Sequence, residues 1–164
     1  MKPLLIVDGY NVIGAWSEAE KKGWSLDESR DRLMRQLEDY AGFSGEEILL
    51  VFDGYQSERT TTTEEKHGDL TLIFTRHGET ADSYIERVTY ELRGRRKVRV
   101  ATSDNLEQLI ILGHGALRLS ASAFHEEMAE VQKQIGDTVF RNNQSEARTG
   151  ALRAALEKAK EGKK

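Results

Sequence analysis

Apolar positions along this chain follow two periods. Short, nearly unbroken runs, LLIVD (4–8), EILLVFD (47–53) and LTLIFT (70–75), have the length and aliphatic content of buried strands. Between them, apolar residues recur at intervals of three and four. Leu33, Leu37 and Tyr40 or Ala41 form one such stripe, and Ser25 precedes Glu28 by three, the spacing of a capping box. Ala81, Ile85, Val88 and Leu92 form a second stripe, with Thr80 as its cap and Gly94 at its end. KVRVATSD (97–104) reads as a fourth strand with Val98 and Val100 inward, and ALRLS (116–120) as a fifth. Asp104 stands where the fourth strand gives way to a helix carrying Leu106, Leu109 and Ile110. Phe124, Met128, Val131 and Ile135 predict a further helix. Ala151, Leu152, Ala155, Leu156 and Ala159 predict a last one over 144–161, with a fraying tail.

Strands separated by helices imply crossover units and a parallel sheet. The expected fold is therefore α/β: one domain over 1–164, with a central, mostly parallel sheet of about five strands flanked by helices. Residues 9–24 read as a polar connection. Residues 54–69, GYQSERTTTTEEKHGD, read as a weakly structured loop, and a loop of that length is expected to be functional or mobile.

The strand ends carry the chemistry. In open parallel sheets, ligands bind outside the carboxyl ends of the strands. Strand one ends on Asp8, strand two on Asp53 and strand four on Asp104. Asp82 opens the helix after strand three, with Glu79 just before it. Each of these acids alone reads equally well as a turn former or a helix cap. Brought to one rim, they repel one another and call for a cation. Carboxylate oxygens without cysteine favour a hard ion, Mg²⁺ or Mn²⁺. Such an ion suits phosphoryl chemistry, with Asn11, Thr102 and Ser103 as hydrogen-bonding groups beside the acids.

Other chemistries lack their motifs. There is no GxxxxGK[ST], and GYNVIG follows strand one where a dinucleotide fold would carry GxGxxG. Strand one lacks the second aspartate, two residues on, of an aspartyl-phosphate phosphatase. His67, His77, His114 and His125 show no HExxH spacing.

Composition changes this picture little. Apolar residues are 38% and charged residues 32%, a globular balance. The absence of cysteine excludes disulfides and thiolate metal sites and fits a reducing, cytoplasmic setting. The run LLIV is too short for a signal-peptide core, and no stretch approaches the roughly 18 apolar residues of a membrane span. Charge matters more in its distribution. The window Glu91–Arg99 holds five basic residues and one acidic one, +4, within a chain of net −4, leaving −8 on the rest. Arg93, Arg95, Arg96, Lys97 and Arg99 are thus candidate phosphate contacts, or simply polar positions on a half-exposed strand. Arg141, Arg148 and Arg153 are a second candidate patch, and Arg59, Lys66 and His67 in the long loop a third. Tyr10, Tyr55 and Trp16 are candidates for stacking on bases.

DGYNVI at 8–13, Asp53, the Asp82 helix and TSD at 102–104 together resemble the YacP-like branch of the NYN domains, within the PIN-like nucleases. The resemblance runs over residues 1–140. It implies a PIN-like three-layer fold and metal-dependent RNA cleavage, with Asp8, Asp53, Asp82 and Asp104 as the acidic site and Asn11 beside them. It also implies a partner: bacterial members of this branch resemble ribosome-associated endoribonucleases that cut messenger RNA during translation. Two alternatives stay open at this point. One is a non-catalytic RNA- or ribosome-binding module. The other is a metal-dependent phosphatase acting on small molecules.

Overall fold

A computed structural model describes residues 1–104 and 113–161. The elements in chain order are β1 (Leu4–Asp8), α1 (Gly9–Gly14), α2 (Ser17–Lys22), α3 (Leu26–Ser44), β2 (Glu47–Phe52), β3 (Thr63–His67), β4 (Leu70–Phe74), α4 (Ala81–Leu92), β5 (Val98–Ala101), β6 (Leu117–Leu119) and α5 (Ala121–Glu161). The strands form one sheet in the order β3-β4-β2-β1-β5-β6. All its pairings are parallel except β3 with β4. This is the expected α/β architecture, with six strands in place of five.

Strand β1 lies at the centre, and all five of its residues are buried. Alternation divides them between two faces. Leu4 and Ile6 pack with Val51, Ile73, Val98 and Val100 against Ala81, Tyr84 and Ile85 of α4. On the other face α3 packs against β2 and β4, presenting Leu33 and Leu37 to the core. Ser25 caps α3 as its spacing predicts, accepting from the Glu28 amide at 3.1 Å. Thr80 caps α4 through the Ser83 amide, also at 3.1 Å.

A polar network closes the second face. The Arg99 guanidinium reaches Glu46 at 2.8 and 3.2 Å, Glu127 at 3.2 and 3.3 Å, and the Tyr40 hydroxyl at 2.7 Å. Tyr40 in turn donates to Glu127 at 2.6 Å. Arg99 is therefore a structural residue, not a phosphate contact.

Three expectations need correction. Residues 9–24 are not merely a connection: they form α1 and α2, with Val12, Ala19 and the intervening Trp16 buried. Trp16 stacks on His125 at 5.1 Å, so it belongs to the core and is not available to a base.

The loop 54–69 is not without regular structure. Its second half is β3, whose register pairs Glu65 with Leu72 and Lys66 with Thr71. None of TEEKH is buried, so β3 has no inward apolar residue to betray it. It forms because β4 offers an open edge, and its charges then protect that edge from further pairing. The first half is tied to residues 75–79 by bonds from the His77 amide to the Arg59 carbonyl, 2.8 Å, and from the Gly78 amide to the Tyr55 carbonyl, 3.0 Å.

The two expected C-terminal helices are one, α5, capped at its start by Ser120, which accepts from the Ala123 amide at 3.1 Å. Between 135 and 151 the apolar period lapses and Gly136, Asn142, Asn143 and Gly150 are poor helix formers, but no proline interrupts and the helix is continuous. The helix expected after Asp104 lies outside the described residues. Met1–Ala129 forms one compact unit, which holds the whole sheet, and Glu130–Lys164 forms another.

Both Asp-Gly pairs at strand ends have a steric cause. A Cβ on Gly9 would stand 2.5 Å from the Phe52 ring, and one on Gly54 would stand 1.9 Å from the Thr75 carbonyl oxygen. The backbone after each aspartate is pressed against its neighbour, and only glycine fits. Gly54→Ala is expected to destabilise the protein by roughly 3 kcal/mol, since a main-chain carbonyl cannot rotate away as a side chain can. Gly14→Ala, with nothing within 4 Å of the new methyl, is the control. Urea midpoints would compare them; equal midpoints would show that the Thr75 segment yields freely.

Candidate active site

The chain winds from β1 to β2 and β4 on one side, then returns to place β5 and β6 on the other. The reversal lies between β1 and β5, which is where open parallel sheets open a crevice at their carboxyl ends. Asp8 closes β1 at that point, and Thr102, Ser103 and Asp104 follow β5.

Hydrogen bonds lock this junction. The fully buried Thr102 receives the Asp104 amide on its hydroxyl at 3.2 Å and donates that hydroxyl to Asp8 Oδ2 at 3.3 Å. Asn11 Oδ1 accepts from the Ser103 amide at 2.8 Å, so α1 holds the turn after β5 by its side chain. Ser103 Oγ accepts from the Ala121 amide at 3.2 Å, linking the turn to the start of α5. DGYN and TSD thus meet across about 90 residues of sequence, the separation of Asn11 and Ser103 being 92. Asn11, Thr102 and Ser103 position the junction and the carboxylate.

Burial and like charges dominate the electrostatics of Asp8. Asp8 is 8% exposed. Burial, above all, and then the Asp82 carboxylate raise its pKa from 3.8 to about 6, and Asp104 adds to the rise. The Thr102 hydroxyl and Asn11 amide oppose the shift without cancelling it. A buried acid facing two like charges is a site that a cation would relieve. Among the described residues, no three acids or histidines already converge on one point.

The remaining acids sit apart from this junction in different ways. Asp53, exposed at the end of β2, accepts from the Tyr55 amide at 2.7 Å and lines a cleft of about 380 Å³ with Tyr55, Gln56 and Thr80. Glu79 is engaged by Arg87 at 2.9 Å and Arg76 at 3.3 Å, and its charge is already balanced.

The basic candidates divide between the two ends of the sheet. Arg93, Arg95, Arg96 and Lys97 precede β5 and lie at the amino edge, opposite Asp8. The 4 residues of β5, at about 3.3 Å each, separate them from the junction. Arg96 is structural, donating to the Lys2 carbonyl at 2.6 Å and Glu47 at 2.9 Å. Arg93 lies on the Tyr90 ring at 4.0 Å. Lys66 is exposed on β3. Arg141 and Arg148 are exposed on α5 within the unit Glu130–Lys164. Arg59 alone of these stands at the carboxyl edge, beside Asp53.

The YacP-like NYN domain model matches residues 5–163. The uncharacterized protein YacP of Bacillus subtilis strain 168 is 37% identical over 134 residues, covering 80% of this chain and 78% of that protein. The chain belongs to the YacP-like NYN domain family. Two crystal structures of Rae1 (YacP) from Bacillus subtilis, one of a point variant, agree in fold. One superposes with a TM-score of 0.71 at 35% identity, covering 98% of this chain and 91% of that one. The variant gives 0.73 at 34% identity, covering 87% and 84%.

Within this NYN domain, sequence reasoning passed over Arg30 and Arg76. Both reach the carboxyl edge, Arg30 from α3 and Arg76 from the turn after β4. Neither lies in a basic run, and net charge by window was the signal in use. Position after a strand, which found the acids, would have found Arg76 as well. No helix among the described residues is long and apolar enough to cross a membrane.

Proposed function

We propose that this NYN domain is a divalent-metal-dependent endoribonuclease centred on Asp8. The observation that carries the proposal is the buried Asp8 carboxyl, raised to about 6 and facing Asp82 and Asp104 at the switch point of the sheet. Asp8, Asp82 and Asp104 would hold Mg²⁺ or Mn²⁺, with Asp53 contributing from the neighbouring strand end. The bound ion would supply charge neutralisation and Lewis-acid polarisation of a phosphate oxygen. The chain's own part is positional. Thr102 orients Asp8 Oδ2, and Asn11 fixes the turn that presents Asp104.

Following the family resemblance, the proposed substrate is messenger RNA on the translating ribosome, in the cytoplasm. The lack of a ready three-ligand set among the described residues favours the second reading, an RNA-binding module without catalysis. One assay separates the two. Structured and unstructured RNAs are incubated with the protein and Mg²⁺ or Mn²⁺, with and without ribosomes, and again with a chelator. Metal-dependent, chelator-sensitive cutting supports the nuclease. Binding without cutting in every arm supports the module.

The charge coupling within the site has its own test. Asp82→Asn is expected to lower the Asp8 pKa, because Asp82 is the largest neighbouring charge acting on it, and to cut RNA cleavage sharply. Carboxyl-carbon NMR of Asp8 across pH reads the first effect. An unmoved titration would mean that the two carboxylates do not share a site.

A further inference from the structure

The carboxyl edge carries a second feature beside the acids. The rings of Tyr10, Phe52 and Phe74 form a ladder across the ends of α1, β2 and β4, with successive centroids 4.8 and 5.5 Å apart. Arg59 completes it, its guanidinium carbon 4.4 Å from the centre of the Phe74 ring. Among the described residues Arg59 forms no ion pair. Its side chain lies on that ring, and its backbone bonds to the Ser57 hydroxyl and the His77 amide. Beside the ladder opens a cleft of about 630 Å³, bounded by Tyr10, Arg30, Asp53, Glu58, Arg59 and Phe74. That volume lies within the range of small-ligand pockets, roughly 300–1,000 Å³.

The lining has a definite chemistry. A guanidinium over a ring face can offer its outer face for stacking and its N–H edge for an anion. Arg30 supplies a second cation, shared with the exposed carboxylate of Asp27. Asp53 and Glu58 are acceptors. They repel phosphate but can accept a hydroxyl proton. A ribonucleotide offers all three complements: a phosphate, a base with a flat face, and a 2′-hydroxyl that deoxyribose lacks. A base paired within a duplex has no free face to insert.

We propose that this cleft is a subsite for one nucleotide of single-stranded RNA. Its phosphate lies on Arg59 and Arg30, its base stacks on the Arg59 guanidinium, and its 2′-hydroxyl points to Glu58. The subsite shares the carboxyl edge with Asp8 and so rests on the nuclease function proposed above. It would set the strand's direction across the metal site and exclude paired RNA.

The test uses the full chain in chelator, so that binding is read without cleavage. A fluorescent single-stranded RNA and the DNA of the same sequence are titrated by anisotropy at several salt concentrations. Arg59→Ala is expected to weaken RNA binding about tenfold, the scale of one lost stacking contact. It should also flatten the salt slope by roughly 0.7, the value for one phosphate on a single strand. Arg59→Lys should restore the slope but not the full affinity, because an ammonium is not planar. Glu58→Ala should narrow the preference for RNA over DNA. Arg59 and Glu58 are exposed, and melting temperatures equal to the parent's would confirm that folding is intact. Unchanged affinity and slope in Arg59→Ala would overturn the subsite, even if the parent protein cuts RNA. Weakened binding in Arg59→Ala, with no cleavage by the parent under any metal, would uphold the subsite and overturn the nuclease.

Discussion

Asp8→Asn is expected to abolish metal-dependent RNA cleavage and, at the same time, to stabilise the metal-free protein at neutral pH. The carboxyl titrates near 6 in the folded chain, against an ordinary value of 3.8, because burial and then the Asp82 charge disfavour its ionised form. Below pH 3.8 the group is protonated in both folded and unfolded chains and costs nothing. As pH rises from 3.8 to 6 the unfolded chain gives up its proton while the folded chain retains it, and stability falls. Above 6 the loss is complete, at about 3 kcal/mol. An amide has nearly the same shape, can still accept from the Thr102 hydroxyl and carries no charge to desolvate. Urea unfolding in chelator should therefore show the variant about 3 kcal/mol more stable at pH 7.5, with the gap closing below about pH 4. Added Mg²⁺ should stabilise the parent and leave the variant unmoved. Equal stability at pH 7.5, together with retained cleavage, would remove Asp8 from the centre of the site.

Arg99→Ala should have a comparable effect with the opposite sign. The guanidinium is the shared partner of Glu46, Glu127 and the Tyr40 hydroxyl, so its removal leaves two carboxylates without their cation. Glu46 is the one that matters most, with its side chain only 11% exposed. The expected loss is about 3 kcal/mol, the lower end for breaking a buried pair, since the Glu127 side chain is 40% exposed and water can reach it. The cost comes from the stranded charge rather than from the bond itself. Arg99→Met combined with Glu46→Leu should therefore recover much of it. Denaturant midpoints of the single and double variants provide the comparison. A single variant as stable as the parent would show that solvent already screens the pair. Because α5 is tethered to the Ser103 turn, and that turn to Asn11, the single variant should also weaken metal binding at Asp8, to which the break is linked through these two hydrogen bonds.

The fold was legible from the sequence to the extent that elements bury an apolar face. The runs at 4–8, 47–53 and 70–75 are strands because both faces of a central parallel strand are covered, and the stripes at 33–41 and 81–92 are helices for the matching reason. What escaped was the pair α1 and α2, too short to show a period, and structure without an apolar face of its own. Strand β3 is polar throughout and exists because β4 had an open edge. The long α5 crosses a stretch with no apolar period because nothing stops it. The identities of Asp8, Asn11, Thr102 and Asp104 could likewise be read as strand-end chemistry and as a family motif. Their meeting could not, because it depends on β5 crossing back to pair with β1. Tertiary structure also decided the arginines. A +4 window drew attention to residues 93–99, yet a strand's direction places that window at the amino edge and commits Arg96 and Arg99 to internal ion pairs. Arg30 and Arg59, isolated in sequence, reach the carboxyl edge instead. Local sequence determines which face of an element is buried; which end of the sheet a charge occupies is set by the order and direction in which the strands pair.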